Sequence, residues 1–306
     1  MIAEGPHPTS PMIFDRPLIR RRQQRAAALG PATFLLDRVA EDLADRLAAV
    51  LRRFDLAVDL GTPGHAVQAA LARVGSVGTI VGARAPSQAN DGLAKPHVIA
   101  DEEALPFGDA SLDLVVSALT LQFVNDLPGT LVQIRRALKA DGLFVAALCG
   151  GDTLTELRQS FAAAESDIEG GVSPRVAPFV DLRELGALLQ RAGFALPVTD
   201  TDRLIVRYDS AFALMHDLRR MGATNALFAR RRTPLRRATL LRTAEIYGER
   251  FADADGRVRA TFELVWLSGW APHPSQQQPL RPGSARTRLA DALRTREIPA
   301  GEKAGR

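Results

Sequence analysis

Phe54-Asp55-Leu56-Ala57-Val58-Asp59-Leu60-Gly61-Thr62-Pro63-Gly64-His65 decides how this chain is read. An apolar run from Phe54 to Leu60 enters a glycine-containing turn, and the helix-compatible run Ala66 to Val74 follows it. A strand, a tight turn and a helix in that order bring backbone amides and a helix N-terminus to face a ligand. Asp59 closes the strand, and Gly61 and Gly64 are the residues of the turn that let backbone come close to a guest.

Working outward, short apolar runs alternate with amphipathic ones. Ala57–Leu60, Val77–Val81, His97–Ala100, Leu112–Ser117 and Leu143–Leu148 read as strands. Leu18 to Leu29 and Phe34 to Arg53 read as helices, the second with Leu35, Leu36, Val39, Leu43, Leu47 and Val50 at spacings of three and four. Leu127 to Leu138 is a further helix, with Asp126 as its N-cap and Asp141-Gly142 closing the turn behind it. Alternating strands and helices imply an α/β fold with a doubly wound, mostly parallel sheet, whose ligands sit outside the carboxyl ends of the strands.

After Leu148 the rhythm changes. Thr153 to Glu165 and Leu182 to Arg191 are helical, Thr201 to Tyr208 alternates as a strand, and Ala211 to Arg250 is a helix-rich insert before a last strand, Val258 to Trp270. The expected organisation is a flexible tail at 1–11, N-terminal helices at 12–53 and an α/β core at 54–150. An acceptor-side region with the C-terminal strands at 151–271 and a disordered tail at 272–306 complete it.

Composition bounds the function. Hydrophobic residues at 46% and charged residues at 24% support a sizeable core in a chain of 306 residues. One cysteine, Cys149, excludes an intramolecular disulfide and any multi-cysteine metal site, and reads as a small buried filler. The five histidines (His7, His65, His97, His216, His273) lack metal-ligand spacing and His-x-carboxylate iron motifs are absent, so no metal is expected. Arginines cluster at 16–25, 230–237 and 281–306 in a chain of net charge +4, and read as solvated helix faces, with no nucleic acid expected. No apolar run approaches the roughly 18 to 20 residues that span a bilayer, and 1–11 lacks the apolar stretch of a secretory signal. Asp15 and an internal position argue against reading the arginine- and alanine-rich stretch at 16–28 as a transit peptide, so a cytoplasmic location is expected.

Two blocks carry a resemblance. Asp101-Glu102-Glu103-Ala104-Leu105-Pro106-Phe107 followed by Ser111-Leu112-Asp113-Leu114-Val115-Val116-Ser117 resembles the third- and fourth-strand blocks of class I S-adenosylmethionine (SAM) methyltransferases, as do Leu121–Leu127 and Arg136–Leu143. Ile13-Phe14-Asp15-Arg16, Gly150–Arg158, Gly170–Pro174, Pro178-Phe179, Ala192-Gly193-Phe194, Asp200-Thr201-Asp202, Met221-Gly222, Asn225 and Gly269-Trp270 look like one branch of that superfamily. That branch holds the mitochondrial complex I assembly factor proposed to hydroxylate an arginine, with its alphaproteobacterial relatives. More distantly the chain is similar to the malonyl-carrier-protein methyltransferase of biotin synthesis.

The resemblance implies the seven-stranded class I sheet and a SAM-dependent methyltransferase acting on an unidentified acceptor, a protein being one candidate. It implies cofactor contacts at Asp59, Gly61, Gly64, Asp101, Glu102 and Ser117, with Asp101 on the adenine amino group, and an acceptor wall from Gly150–Arg158 and Ser173–Phe179. It names no catalytic acid or base. Its alternative implication is a cofactor-impaired or arginine-hydroxylase-like assembly factor whose partner is a respiratory complex I subunit. The departures bear on this choice. Pro63 and His65 replace two loop glycines, and Ala83 stands where the second strand should end in an acid that grips the ribose. Loss of that acceptor alone costs about 2–3 kcal/mol, so weakened SAM binding is expected.

Overall fold

The computed structural model describes residues 12–85, 96–179, 181–277, 284 and 287–296. The expected tail at 1–11, and much of that at 272–306, lie outside these residues. The chain divides into a unit ending at Pro272 and a second unit, His273–Arg306, whose described part carries one short helix, Leu289–Ala292.

Seven strands form one sheet in the order β3-β2-β1-β4-β5-β7-β6: β1 Phe54–Leu60, β2 Val77–Arg84, β3 His97–Ile99, β4 Leu112–Ala118, β5 Leu138–Cys149, β6 Ala195–Tyr208 and β7 Val258–Trp270. The first five run parallel, and β7 lies antiparallel between β5 and β6. The expected doubly wound, mostly parallel sheet is present, with the helical insert (α7 Ala211–Arg220 and α8 Arg237–Phe251) before the last strand. The order reverses at β1, which has β2 on one side and β4 on the other, and this opens a crevice beyond their carboxyl ends.

Two apolar layers clamp the sheet. On one face α2 (Phe34–Ala48), α3 (Ala66–Leu71), α5 (Thr155–Glu169) and α7 contribute Val39, Leu43, Leu71, Leu157 and Leu214 to a core shared with Leu114 and Phe262. On the other, α4 (Leu127–Ala137) and α6 (Leu182–Arg191) pack Leu131, Ile134, Leu185 and Leu189 on Val58, Leu60 and Phe144. Central strands buried on both faces must be almost continuously apolar, which is why Leu114–Val116 of β4 and Leu143–Leu148 of β5 read as hydrophobic runs. Asp126 caps α4 as expected, its carboxylate accepting from Gly129 N at 2.8 Å.

Among the places where the structure departs from the sequence reading, three bear on the sheet. The helix expected to Arg53 stops at Ala48, because Leu51 to Arg53 lead into β1 with Leu51 fully exposed. β6 begins at Ala195, before the alternating stretch, as its first residues pair with the end of β7. Asp141-Gly142 is not a turn between helix and strand but a kink inside β5, with Asp141 at φ 65° and its amide donating to Ala271 O at 3.0 Å.

Phe144 is fully buried and stacks on Phe194 with ring centroids 5.5 Å apart. Phe144→Ala is expected to destabilise the fold by about 3–5 kcal/mol, measured by denaturant unfolding, with the folded circular-dichroism spectrum retained.

Candidate functional site

The crevice floor is built from backbone and hydroxyls. Gly61, at φ 71°, donates its amide to Ala83 O at 2.8 Å and so ties the loop to β2. Ser117 Oγ donates to Leu60 O at 2.8 Å, Thr120 Oγ1 to Gly61 O at 3.0 Å, and Ala118 N to Thr62 Oγ1 at 3.0 Å. Ser117, expected to touch cofactor, is thus buried and engaged in stitching β4 to β1. A side chain on Gly61 would meet Thr120 Cγ2 at 2.6 Å and Glu102 Cγ at 3.0 Å, so the space over this glycine is filled by the protein itself. Gly64, at φ 68°, faces open space.

Beneath the loop lies an ion pair that the sequence reading missed. Arg84 is 1% exposed and Asp59 0%, and Arg84 Nη2 donates to Asp59 Oδ2 at 2.8 Å and to Gly64 O at 3.1 Å. The sequence reading placed the lost ribose acid at Ala83, but successive strand residues face opposite sides. Ala83 joins the cluster of Val58 and Leu60, whereas Arg84 turns to the Asp59 side and is the residue that matters there. Asp59 Oδ1, Arg84 Nε and Nη1 and both amide atoms of Gln68 on α3 are buried without protein partners, which leaves the cluster polar and incompletely satisfied. Gln68 packs on Gly82, where any side chain would collide with it.

The acidic stretch after β3 is engaged as well. Asp101 accepts from Arg16 Nη1 at 2.6 Å, Glu103 N at 2.9 Å and Arg20 Nη2 at 2.5 Å. Arg16 also holds Glu102 through Nη2, and Glu103 through Nη1 at 2.7 Å. Burial alone would raise the Asp101 pKa, but the Glu103 amide and the two guanidiniums outweigh it and hold the carboxyl below its ordinary range. These arginines open α1 (Arg16–Ala28), and the Ile13-Phe14-Asp15-Arg16 motif anchors the helix residue by residue. Ile13 N and Phe14 N donate to Asn125 Oδ1 at 2.9 and 2.8 Å, Phe14 packs edge-on to Phe123, and Asp15 pairs with Arg230 at 3.0 Å. The arginine clusters are therefore partly internal: Arg22 donates to Thr224 O at 2.7 Å, and Arg231 pairs with Glu169 at 3.0 Å.

Asp59, Asp101 and Glu102, the carboxylates expected to receive SAM, all face arginines of this chain, and Glu102 covers Gly61. Carboxylates already paired with guanidiniums are a poor fit to the adenosine of SAM, whose hydroxyls and amino group need free acceptors. Next to the crevice, a cavity of about 680 Å³ opens between α1, α2, α5, α7 and the Pro63-Gly64-His65 loop. Leu36, Leu119, Leu157, Phe161, Met215 and Phe262 supply much of its wall. Both stretches expected as an acceptor wall reach it, through Thr153 to Leu157 and Arg175 to Phe179. Glu165, fully buried, fixes that second stretch by accepting from Ser173 N at 2.6 Å and Arg175 Nε at 2.7 Å. Cys149 lines the cavity too, and burial pushes its thiol pKa up to about 12, so it is a neutral filler and not a nucleophile. Among the described residues no group of three His, Cys, Asp or Glu side chains could hold a metal, and no helix is long and apolar enough to cross a membrane.

Known proteins agree with this architecture. The family model for a methyltransferase domain matches residues 58–146. The mouse protein named arginine-hydroxylase NDUFAF5, mitochondrial, is 39% identical over 99% of this chain and 92% of its own length. Its human counterpart is 40% identical over 95% and 86%. A malonyl-[acyl-carrier protein] O-methyltransferase from Xylella fastidiosa is 35% identical over 85% of this chain and 89% of its own. Among solved structures, a putative methyltransferase from Bacillus halodurans has a TM-score of 0.52 at 15% identity, covering 76% of this chain and 98% of that one.

Two outcomes are expected. Arg84→Ala leaves Asp59 buried and uncompensated and should destabilise by about 3–5 kcal/mol, whereas the Asp59→Asn, Arg84→Met pair should recover most of that loss in denaturant titrations. The Asp101 contact, with its carboxyl held below the unfolded value of about 3.9, contributes in full above that value and is lost as pH falls through the lower folded pKa. The protection factors of the α1 amides, in which the intrinsic pH dependence of exchange is divided out, should therefore fall in that acidic window and stay level between pH 5 and 8.

Proposed function

We propose a function from one premise: the chain belongs to the family of the arginine-hydroxylase NDUFAF5 proteins, built on the methyltransferase fold. The proposal is that it is a cofactor-impaired assembly factor, which keeps the methyltransferase scaffold to grip a protein partner and does not rely on bound SAM. The observation that carries this reading is the Arg84–Asp59 pair, which puts a guanidinium and its neutralised carboxylate under the loop that should hold the cofactor. Arg16 and Arg20 on the adenine-side acids support it. The partner is a respiratory complex I subunit, a proposal that rests on the family resemblance of Ile13–Arg16, Gly150–Arg158 and Ser173–Phe179, and the cytoplasmic location expected from the sequence goes with it.

A second reading, a SAM-dependent methyltransferase, is favoured by one specific feature. Gly64 keeps its left-handed conformation beside open space at the mouth of a cavity large enough for an acceptor.

Complementation tests the first reading. In a strain lacking the chain, complex I assembly, followed by native gels and NADH oxidation, should fail and be restored by wild type and by the Asp59→Asn, Arg84→Met double variant alike. Unchanged complex I in the deletion strain would overturn the partner. A folded double variant that fails to complement would show that the loop's own charges take part in the function.

A further inference from the structure

Two short segments tied edge to edge present a surface that neither the crevice nor the cavity uses. Phe14 pairs with Leu227 in an antiparallel bridge, with Asp15 N donating to Ala226 O at 2.9 Å and Phe228 N to Ile13 O at 2.8 Å. Neighbours along extended backbone face opposite sides. Phe14 and Leu227 turn inward, at 5% and 4% exposure, and line the cavity. Ile13 and Phe228 turn outward, at 43% and 44%, and Met12, next in the chain, is 50% exposed. Folding thus leaves three large apolar side chains in water one residue away from the core.

Cations surround them. Arg232 lies over the Phe228 ring at 5.9 Å, and Arg230 Nη1 donates to Leu227 O at 2.8 Å. Arg22 donates to Thr224 O at 2.7 Å, which brings α1 onto the same segment. Burial and then the charges of Arg230, Arg25 and Arg21 hold the Arg22 guanidinium below its ordinary pKa, with Asp15 opposing them. Asp15 is itself paired with Arg230 at 3.0 Å. Arg21, Arg25 and Arg232 are exposed and form no ion pair among the described residues.

An apolar tip in a basic field that local acids do not neutralise is complementary to a surface that is anionic outside and apolar beneath. Arginine stems are apolar too, so guanidiniums can hold phosphates while the tip sinks below them. A single aromatic ring is too little for a nucleic-acid stacking platform. A protein partner would need a recess shaped to these three side chains, and a bilayer needs none. We infer that this face, Met12 and Ile13 with Phe228 and the arginines around them, docks the protein on an anionic lipid bilayer without crossing it. The inference goes beyond the assembly-factor reading and is independent of it, because its readout is vesicle binding by the purified chain.

The test is co-sedimentation of the full chain with vesicles of phosphatidylcholine alone and of phosphatidylcholine with about one-third phosphatidylglycerol. Partitioning into the anionic vesicles should be at least about tenfold stronger, and should fall by about tenfold when salt rises from roughly 0.1 to 1 M. The Arg21→Gln, Arg25→Gln, Arg232→Gln triple variant and the Ile13→Ser, Phe228→Ser double variant should each lower it about tenfold while keeping the folded circular-dichroism spectrum. Leu51→Ser, which removes the exposed apolar side chain before β1, should change nothing. Phe228→Trp should show blue-shifted emission on the anionic vesicles, as its ring leaves water. Equal partitioning into both vesicles, undiminished partitioning in either folded variant, an unshifted Phe228→Trp emission, or binding of poly-L-glutamate but not of vesicles, which would mark an acidic protein site, would overturn the inference.

Discussion

A guanidinium buried between the first two strands governs what the crevice above them can hold. Arg84 and Asp59 are withdrawn from water together, and Arg84 also binds the carbonyl of Gly64, so the pair fixes the loop as well as neutralising the acid that closes β1. Withdrawing two charges is repaid only if their geometry is close and their other hydrogen-bonding atoms are satisfied. Here the geometry is close and several of those atoms are unsatisfied, so the pair is better understood as a specifying device than as a source of stability. Its consequence is chemical: a loop shaped to approach a ligand rests on an internal salt bridge.

The N-terminal helix acts on the opposite wall. Arg16 gathers Asp101, Glu102 and Glu103 around one guanidinium, and the preceding residues hold the helix start through Asn125 and Arg230. Glu102, drawn in this way, lies against Gly61 beside Thr120. The carboxylates on both sides of the crevice are therefore paired with the chain's own arginines, while an apolar cavity stays open beside the Pro63-Gly64-His65 loop. The methyltransferase scaffold remains intact around an altered centre, which is consistent with fold and chemistry being separable properties of one domain.

Much of this was legible in the sequence, and the reasons are physical. The alternation of apolar strands with amphipathic helices, with Asp126 as a cap and Leu35 to Leu47 at helical spacing, encodes the sheet and its covering layers locally. Pro63 and His65 could be recognised as departures because they sit within the loop itself. The role of Arg84 could not be assigned by counting back to Ala83, since which of two neighbours faces the loop depends on the register of β2 against β1. Strand alternation from the buried Leu60 and Ala83 pair supplies the missing signal. The grip of Arg16 on acids some 85 positions away is a tertiary fact with no local signature.

The proposed function turns on whether the carboxylates paired with Arg84, Arg16 and Arg20 can still receive SAM. Titration of SAM into the purified full-length chain by calorimetry tests it most directly. The account predicts no saturable heat up to millimolar SAM, and a dissociation constant in the low micromolar range would contradict it.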